Sequence, residues 1–397
     1  MPYRSAMSID VEHARSITPG TRQVNHLNNA GSSLPTQPVL DAMAAYLQRE
    51  ALIGGYEMEA EREPMHEAVY HSIATMIGAQ RDEIALTQSA TAAWNAAFRS
   101  ITFVPGDRVL TGRSEYLSNA LNLLLASERD GVDVVVIPDD EHGQVSVDAL
   151  RDAIDERTKL LALTHIPTSG GLVNPAAAVG RIAREAGVPY LLDACQSVGQ
   201  RVIDVDELGC DMLCATGRKF LRAPRGTGFL YVRSTVLESL QPFVLDSHSA
   251  SWTGPRTYTM EAGARRFEEF ESSRATRIGL GVAVDQALAH GLDAIADRTS
   301  GLAERLRAML LALGRVEVHD KGQDRCGIVT FSVAGVAADH VKQALSARSI
   351  NTSVTGAHFA QFDFPQRGLG RVVRASPHYY NTDDELAQLV EVVAGLN

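Results

Sequence analysis

Cysteine is scarce in this chain: there are four in 397 residues. That is too few for a disulfide framework at this length. Cys210 and Cys214 are spaced like half of a zinc site, but no second Cys/His pair lies near them in sequence, so no metal is expected. Small buried residues in a reducing compartment are the expectation instead. Basic runs are lacking too. With 37 Lys and Arg against 48 Asp and Glu, the net charge is -11, and there is no footprint for a nucleic acid. No apolar run approaches the length needed to cross a bilayer. The opening segment Met1–Gly20 is polar and has no apolar signal core. These absences together predict a cytoplasmic chain with neither a membrane nor a nucleic-acid partner. Internal repeats, low-complexity tracts and long linkers are also missing.

What is present is a long run of alternating strand-like and helix-like segments. Strands are predicted at Arg108–Thr111, Val132–Ile137, Lys159–Thr164, Val188–Asp193, Met212–Ala215 and Gly228–Val232, each short, apolar and bounded by turn residues. Between them, His66–Gly78 puts Val69, Ile73, Met76 and Ile77 on one helical face. Pro175 opens another helix that Gly187 stops. This alternation predicts an α/β fold with a mainly parallel sheet and helices on both faces. The last third reads as a smaller α+β domain. It has one long helical stretch over Gly281–Leu313, strands at Val316–Val318 and Gly327–Val333, a helix at Asp339–Ala347, and strands near Asn351 and Arg371. Thr382 with Glu385 forms a capping-box pattern for a final helix. The expected boundaries are a tail over 1–20, a segment over 21–60 packing with the small domain, a large domain over 61–285 and the small domain over 286–397.

Three places carry chemistry. Asp193 ends an apolar strand, where open α/β sheets hold their ligands. A carboxylate there serves as a cap, a metal ligand or the partner of a protonated pyridine nitrogen. Lys219 lies just beyond another strand, in "TGRKFLRAPRGTGFLYV", among small residues. Desolvation at such a place favours a neutral, nucleophilic amine. In "LTQSATAAWNA" a strand ends near Thr87 and a helix begins near Thr91, an arrangement that suits a phosphate monoester or a simple Ser/Thr cap.

The ordered set "DACQSVG" (Asp193–Gly199), "GRKFLRAPRGTGFL" (Gly217–Leu230) and "VRAS" (Val373–Ser376) resembles the class V aminotransferase group of fold-type I pyridoxal 5′-phosphate (PLP) enzymes. That group includes cysteine desulfurases, selenocysteine lyases, ergothioneine-pathway C–S lyases and isopenicillin N epimerase-like proteins, the last two being the nearest in the lysine segment. The resemblance implies a seven-stranded-type sheet and a role for each matching residue. Lys219 forms the Schiff base with PLP and shuttles protons. Asp193 pairs with the ring nitrogen. Ala90, Thr91, Thr216 and Arg218 contact the phosphate. Gln196 and Thr168 lie near the phenolic oxygen, with Thr168 standing where the family has asparagine. Tyr116 takes the place of a stacking histidine, and Arg374 grips the substrate carboxylate, a task for a planar fork. Asn29 and His358 are expected against the substrate. The family is usually a homodimer. Its partner phosphate contact is a Gly-Thr that is missing here, with Ser272 or Ser273 as a substitute.

Desulfurases of this group carry a mobile cysteine in a loop whose counterpart here is Gly356–Gln361, and Phe359 occupies the cysteine's place. A phenyl ring cannot replace a thiolate. The sequence-based expectation is therefore a β-eliminating C–S lyase that does not form a persulfide, with a class V aminotransferase as the alternative and an epimerase third. Tyr56, His165, His358 and His26 are the candidates for a second acid or base, and Tyr56 with Gly54 and Gly55 for closing the mouth.

Overall fold

The computed structural model describes residues 8–396. The alternating segments form a seven-stranded sheet of β1 (Ile84–Thr87), β2 (Arg108–Gly112), β3 (Asp133–Ile137), β4 (Thr158–Thr164), β5 (Tyr190–Asp193), β6 (Met212–Thr216) and β7 (Gly228–Val232). Their spatial order is β1-β7-β6-β5-β4-β2-β3. β7 is antiparallel to both its neighbours, and every other adjacent pair is parallel.

Both faces of the sheet are covered, which is why its strands read as nearly unbroken apolar runs. Leu161, Leu163, Tyr190, Leu192, Leu213 and Ala215 face one core. Leu160, Ala162, Leu191, Met212 and Cys214 face the other. Helix α1 (Glu63–Ile77) brings Val69, Ile73, Met76 and Ile77 to the first core, as their spacing predicts. Helix α2 (Ala90–Arg99) brings Trp94 and Phe98 to the second. Helix α3 (Leu117–Asp130) follows β2, and α4 (Ala176–Ala186) begins after Pro175 and ends where Gly187 turns to φ 64°.

The long helical stretch expected over Gly281–Leu313 is two helices, α5 (Arg274–His290) and α6 (Leu292–Leu311). Gly291 separates them at φ 84°, a left-handed conformation that ends one helix and starts the next. Beyond α6, β8 (Val316–Val318), β9 (Val329–Val333), β10 (Ser353–Thr355) and β11 (Val372–Ala375) form an antiparallel sheet in the order β8-β9-β11-β10. Helix α7 (Ala338–Ser346) and helix α8 (Asp383–Ala394) pack on it, and Thr382 and Glu385 cap α8 reciprocally.

The N-terminal segment joins this small domain. Asn25 and His26 pair with Ile350 and Asn351, and Leu27 enters the small domain's core. Residues 11–16, inside the expected tail, form a helix whose Ala14 is buried and whose Arg15 reaches Glu385 at 2.9 Å. No helix among the described residues is long and apolar enough to cross a membrane.

Candidate active site

The carboxyl ends of β4, β5 and β6 lie side by side. Thr164 pairs with Asp193, Asp193 with Cys214, and Thr216 with Gly228 at the start of β7. Side chains just past those ends therefore converge on one edge, which is the ordinary place for a ligand in an open sheet. A cavity of about 360 Å³ opens there, lined in part by Tyr116, Thr168, Arg218, Lys219, Phe359 and Arg374.

Lys219 sits in a turn clamped by backbone hydrogen bonds from Arg222 to its own carbonyl and from Ala223 to Gly217. Arg222 takes a left-handed φ of 63°, an uncommon conformation for a side chain of its size. Its guanidinium is anchored on the Leu34 carbonyl and the Tyr379 hydroxyl. The Lys219 amine is buried, 5.7 Å from the centre of the Tyr116 ring. Burial lowers its pKa. Cys195 and Asp193 oppose that shift, while Arg218 and Arg374 add to it. The outcome is an amine biased toward the neutral, nucleophilic form.

Asp193 is buried at the end of β5. One of its oxygens accepts from the Cys195 amide at 2.9 Å and the other from the Asn119 side chain at 2.8 Å. Across the cavity Arg374, on β11, donates through one nitrogen to the carbonyl and the hydroxyl of Thr168, both at 2.8 Å. Its second terminal nitrogen reaches Asn28 at 3.2 Å, and its Nε has no partner. Burial and the neighbouring Arg218 push its pKa down to about 10, which leaves it charged at neutral pH. Gln196 donates to Thr168 at 2.9 Å and to the Ala30 carbonyl, with its carbonyl oxygen unpartnered. One half-buried hydroxyl, that of Thr168, therefore holds both Gln196 and Arg374.

The fit to PLP rests on these orphaned groups. The unpartnered Arg374 Nε complements a carboxylate, the Thr168 hydroxyl, which only accepts from Gln196 and Arg374, has its proton for an anionic phenol, the buried amine suits an aldehyde, and the free lone pairs of Asp193 suit a protonated pyridine. At the other end, Ser89 caps α2, so the amides of Ala90 and Thr91 have no partner within the helix. Gly228 packs on this turn so closely that an added Cβ would meet the Ala90 nitrogen at 2.9 Å. Thr216 donates to the Thr227 carbonyl at 3.3 Å.

Not every expected residue is brought to the cavity. Asn29 is corrected: its amide is consumed by the Ser376 carbonyl at 2.8 Å and the Tyr380 hydroxyl at 2.6 Å, and Asn28 takes its place beside Arg374. His358 is exposed, stacks on Phe359 at 4.0 Å between ring centres, and does not line the cavity. Arg218 donates to the Gly31 carbonyl at the mouth. Among the proposed second acids, Tyr56 is 75% exposed in a different hollow, beside Phe270 and Arg274. His165 is buried and held neutral by that burial, its pKa down to about 4. His26 hydrogen-bonds the Ser32 carbonyl and Asn351. Ser273 caps α5, and Ser272 accepts from Arg274. Glu115, Asn119 and Asn28 went unread in the sequence. The only signal for the first two was their spacing of four residues at the start of a helix, inside "GRSEYLSNA".

The chain matches the family model described as aminotransferase class-V over residues 25–389. It is 32% identical over 378 residues to a probable cysteine desulfurase of Methanothermobacter thermautotrophicus, covering 93% of this chain and 94% of that one. A probable cysteine desulfurase of Halobacterium salinarum is 29% identical, covering 97% and 96%. The apo structure of a cysteine desulfurase from Thermococcus onnurineus NA1 superposes with a TM-score of 0.90 at 26% identity, covering 98% of this chain and 100% of that chain. These relatives correct the functional expectation. Phe359 was taken to exclude a cysteine desulfurase, and the lysine segment to favour an ergothioneine-type lyase, with transamination or epimerisation behind it. The relatives across almost the whole chain are instead named desulfurases. The physical reason is one of scale: Phe359 removes one thiol from one loop and leaves the constellation of Lys219, Asp193 and Arg374 intact.

Proposed function

The chain belongs to the aminotransferase class-V family and is a PLP-dependent enzyme of fold type I, and from that premise we propose that it removes sulfur from L-cysteine, releasing L-alanine. The observation that carries this reading is the whole-length similarity to proteins named cysteine desulfurase, combined with the preserved constellation of a buried amine, a buried carboxylate and a buried arginine. All four cysteines of the chain are buried and Phe359 lines the mouth. The sulfur acceptor in this reading is accordingly a small thiol from solution. The Cβ–S bond breaks, an S–S bond forms to the thiol, and the carbon takes a proton, so that cysteine and RSH give alanine and RSSH.

PLP, when bound, supplies the electron sink for the α-carbon. Lys219 holds it and, once displaced, moves the α-proton at Nζ, a task that its lowered pKa favours. Asp193 would pair with the ring nitrogen, Gln196 and Thr168 would serve the phenolic oxygen, Tyr116 would stack on the ring, and Ala90 and Thr91 with Thr216 would hold the phosphate. Arg374, with Asn28 beside it, binds the substrate carboxylate. We also read the chain as a homodimer, because Phe243, Val244, Trp252 and Tyr258 are large, apolar and more than half exposed.

The test is incubation of the purified enzyme with L-cysteine and excess dithiothreitol, with both products measured. Alanine and sulfide in equal amounts are expected. Pyruvate in place of alanine would overturn desulfuration. Loss of the visible absorbance of the bound cofactor in Lys219→Ala checks the lysine separately.

A further inference from the structure

Asp193 has a buttress. Asn119 uses its side-chain nitrogen twice, donating to Asp193 at 2.8 Å and to Glu115 at 2.9 Å. An inverted amide would turn its oxygen against two carboxylates, so the two acids fix its orientation. Glu115 sits in the turn after β2, and Asn119 follows it by four residues on α3, so the first turn of that helix presents both to the sheet edge.

Glu115 is buried and collects four donors: the Tyr116 amide at 2.6 Å, the Thr111 hydroxyl at 2.8 Å, Asn119, and the hydroxyl of Thr164. Three of the four converge on Oε1 and only the Thr111 hydroxyl takes Oε2, which keeps one acceptor site open. The second site on Oε2 has room for a proton. Burial and the nearby Asp193 charge favour such a proton. The hydrogen bonds from Thr164, Asn119 and the Tyr116 amide oppose it, and the balance still raises the Glu115 pKa. Thr164, one of the four, is also the register partner of Asp193 across β4 and β5, so the shell is built on the strand that carries the aspartate's neighbour.

We infer that Glu115 and Asn119 are positioning residues: they fix the Asp193 carboxylate so that its free lone pairs face the cofactor's ring nitrogen. This rests on the reading of Asp193 as the ring-nitrogen partner. Neither residue touches substrate or cofactor. Both act through the aspartate.

The test uses enzyme stripped of PLP and reconstituted, with the dissociation constant for PLP and the absorption maximum of the bound cofactor as readouts. Glu115→Gln and Asn119→Ala are each expected to weaken PLP binding roughly ten-fold, the scale of a lost hydrogen bond to a charged group. Both should shift the band in the direction that Asp193→Asn shifts it. The double variant Asp193→Asn with Glu115→Gln is expected to bind no more weakly than Asp193→Asn alone, because Glu115 acts only through that side chain. Wild-type affinity and band in both single variants, or fully additive losses in the double, would overturn the proposal. Should Glu115→Gln fail to fold, Asn119→Ala carries the same cycle with three donors left on Glu115. An Asp193→Asn variant with unchanged affinity and band would instead sink the reading of Asp193 itself.

Discussion

Arg374 constrains the substrate through what it has left to give. One terminal nitrogen is spent on Thr168 and the other is shared with Asn28, which leaves Nε and the remaining hydrogens for an incoming carboxylate. Lysine offers a point charge and cannot hold Thr168 and a carboxylate in one plane. Arg374→Lys should therefore raise KM for L-cysteine by about ten-fold or more with a smaller change in kcat, a split that steady-state kinetics resolves. Phe359 supplies a second prediction. It lines the mouth where desulfurases carry their cysteine, so Phe359→Cys should hold the sulfur on the protein as a persulfide when L-cysteine is the only thiol present, while the unaltered chain passes it to free cysteine and retains none. Mass spectrometry of the variant should find one extra sulfur. At this scale Lys219, Asp193, Gln196 and Arg374 were legible because each stands in a short ordered motif. Asn28, Glu115 and Asn119 were not, because their roles come from contacts such as Asn119 to Asp193, made 74 residues apart. Asn29 misled for the same reason: two adjacent asparagines look alike until the backbone points one inward.

Elements carry the site by where they end. The start of β7 lies against the turn into α2, and a Cβ on Gly228 would meet three backbone atoms: the Ser89 carbonyl carbon at 2.7 Å, the Ala215 oxygen at 2.8 Å and the Ala90 nitrogen at 2.9 Å. Backbone cannot rotate away as a side chain can. Gly228→Ala should thus force β7 and α2 apart, costing about 1–3 kcal/mol in urea unfolding and weakening PLP binding through the displaced amides. A melting temperature equal to that of the unaltered protein would show that the turn has more room than its geometry states. The strands themselves were legible to within a residue or two, since burial on both faces writes them as apolar runs. The break at Gly291 was hidden because α5 and α6 are apolar on both sides of it. Periodicity continues through "LAHGLDAI", and only the backbone, with Gly291 at φ 84°, shows the chain turning.

A buried carboxylate beside the second sheet, paired with Arg307, also reaches the loop that carries the site. Asp320, beside β8, accepts from Arg307 on α6 at 2.8 Å, from the Thr330 amide and hydroxyl at 3.0 and 2.6 Å, and from the Gly171 amide at 2.9 Å. Gly171 belongs to the loop after β4 that carries Thr168, so one small-domain carboxylate steadies the residue on which Arg374 and Gln196 both hang. Arg307 is 2% exposed at its side chain and Asp320 is wholly buried. A pair so placed adds little net stability when intact, because desolvation offsets the attraction, but breaking it leaves the buried Arg307 with only the part-exposed Glu304, at 2.8 Å, as counter-charge, at a cost of up to about 3–5 kcal/mol. The exposed pair of Arg305 with Asp383, whose side chains are 48% and 66% accessible, is the natural control, worth under about 1 kcal/mol. Asp320→Asn should therefore lower the urea midpoint sharply and Arg305→Ala hardly at all. If the loop transmits the loss, Asp320→Asn should also raise KM for L-cysteine in the direction of Arg374→Lys, while Arg305→Ala leaves it unchanged. A destabilised Asp320→Asn enzyme with an unaltered KM would confine the pair to stability and leave Thr168 held by the large domain alone.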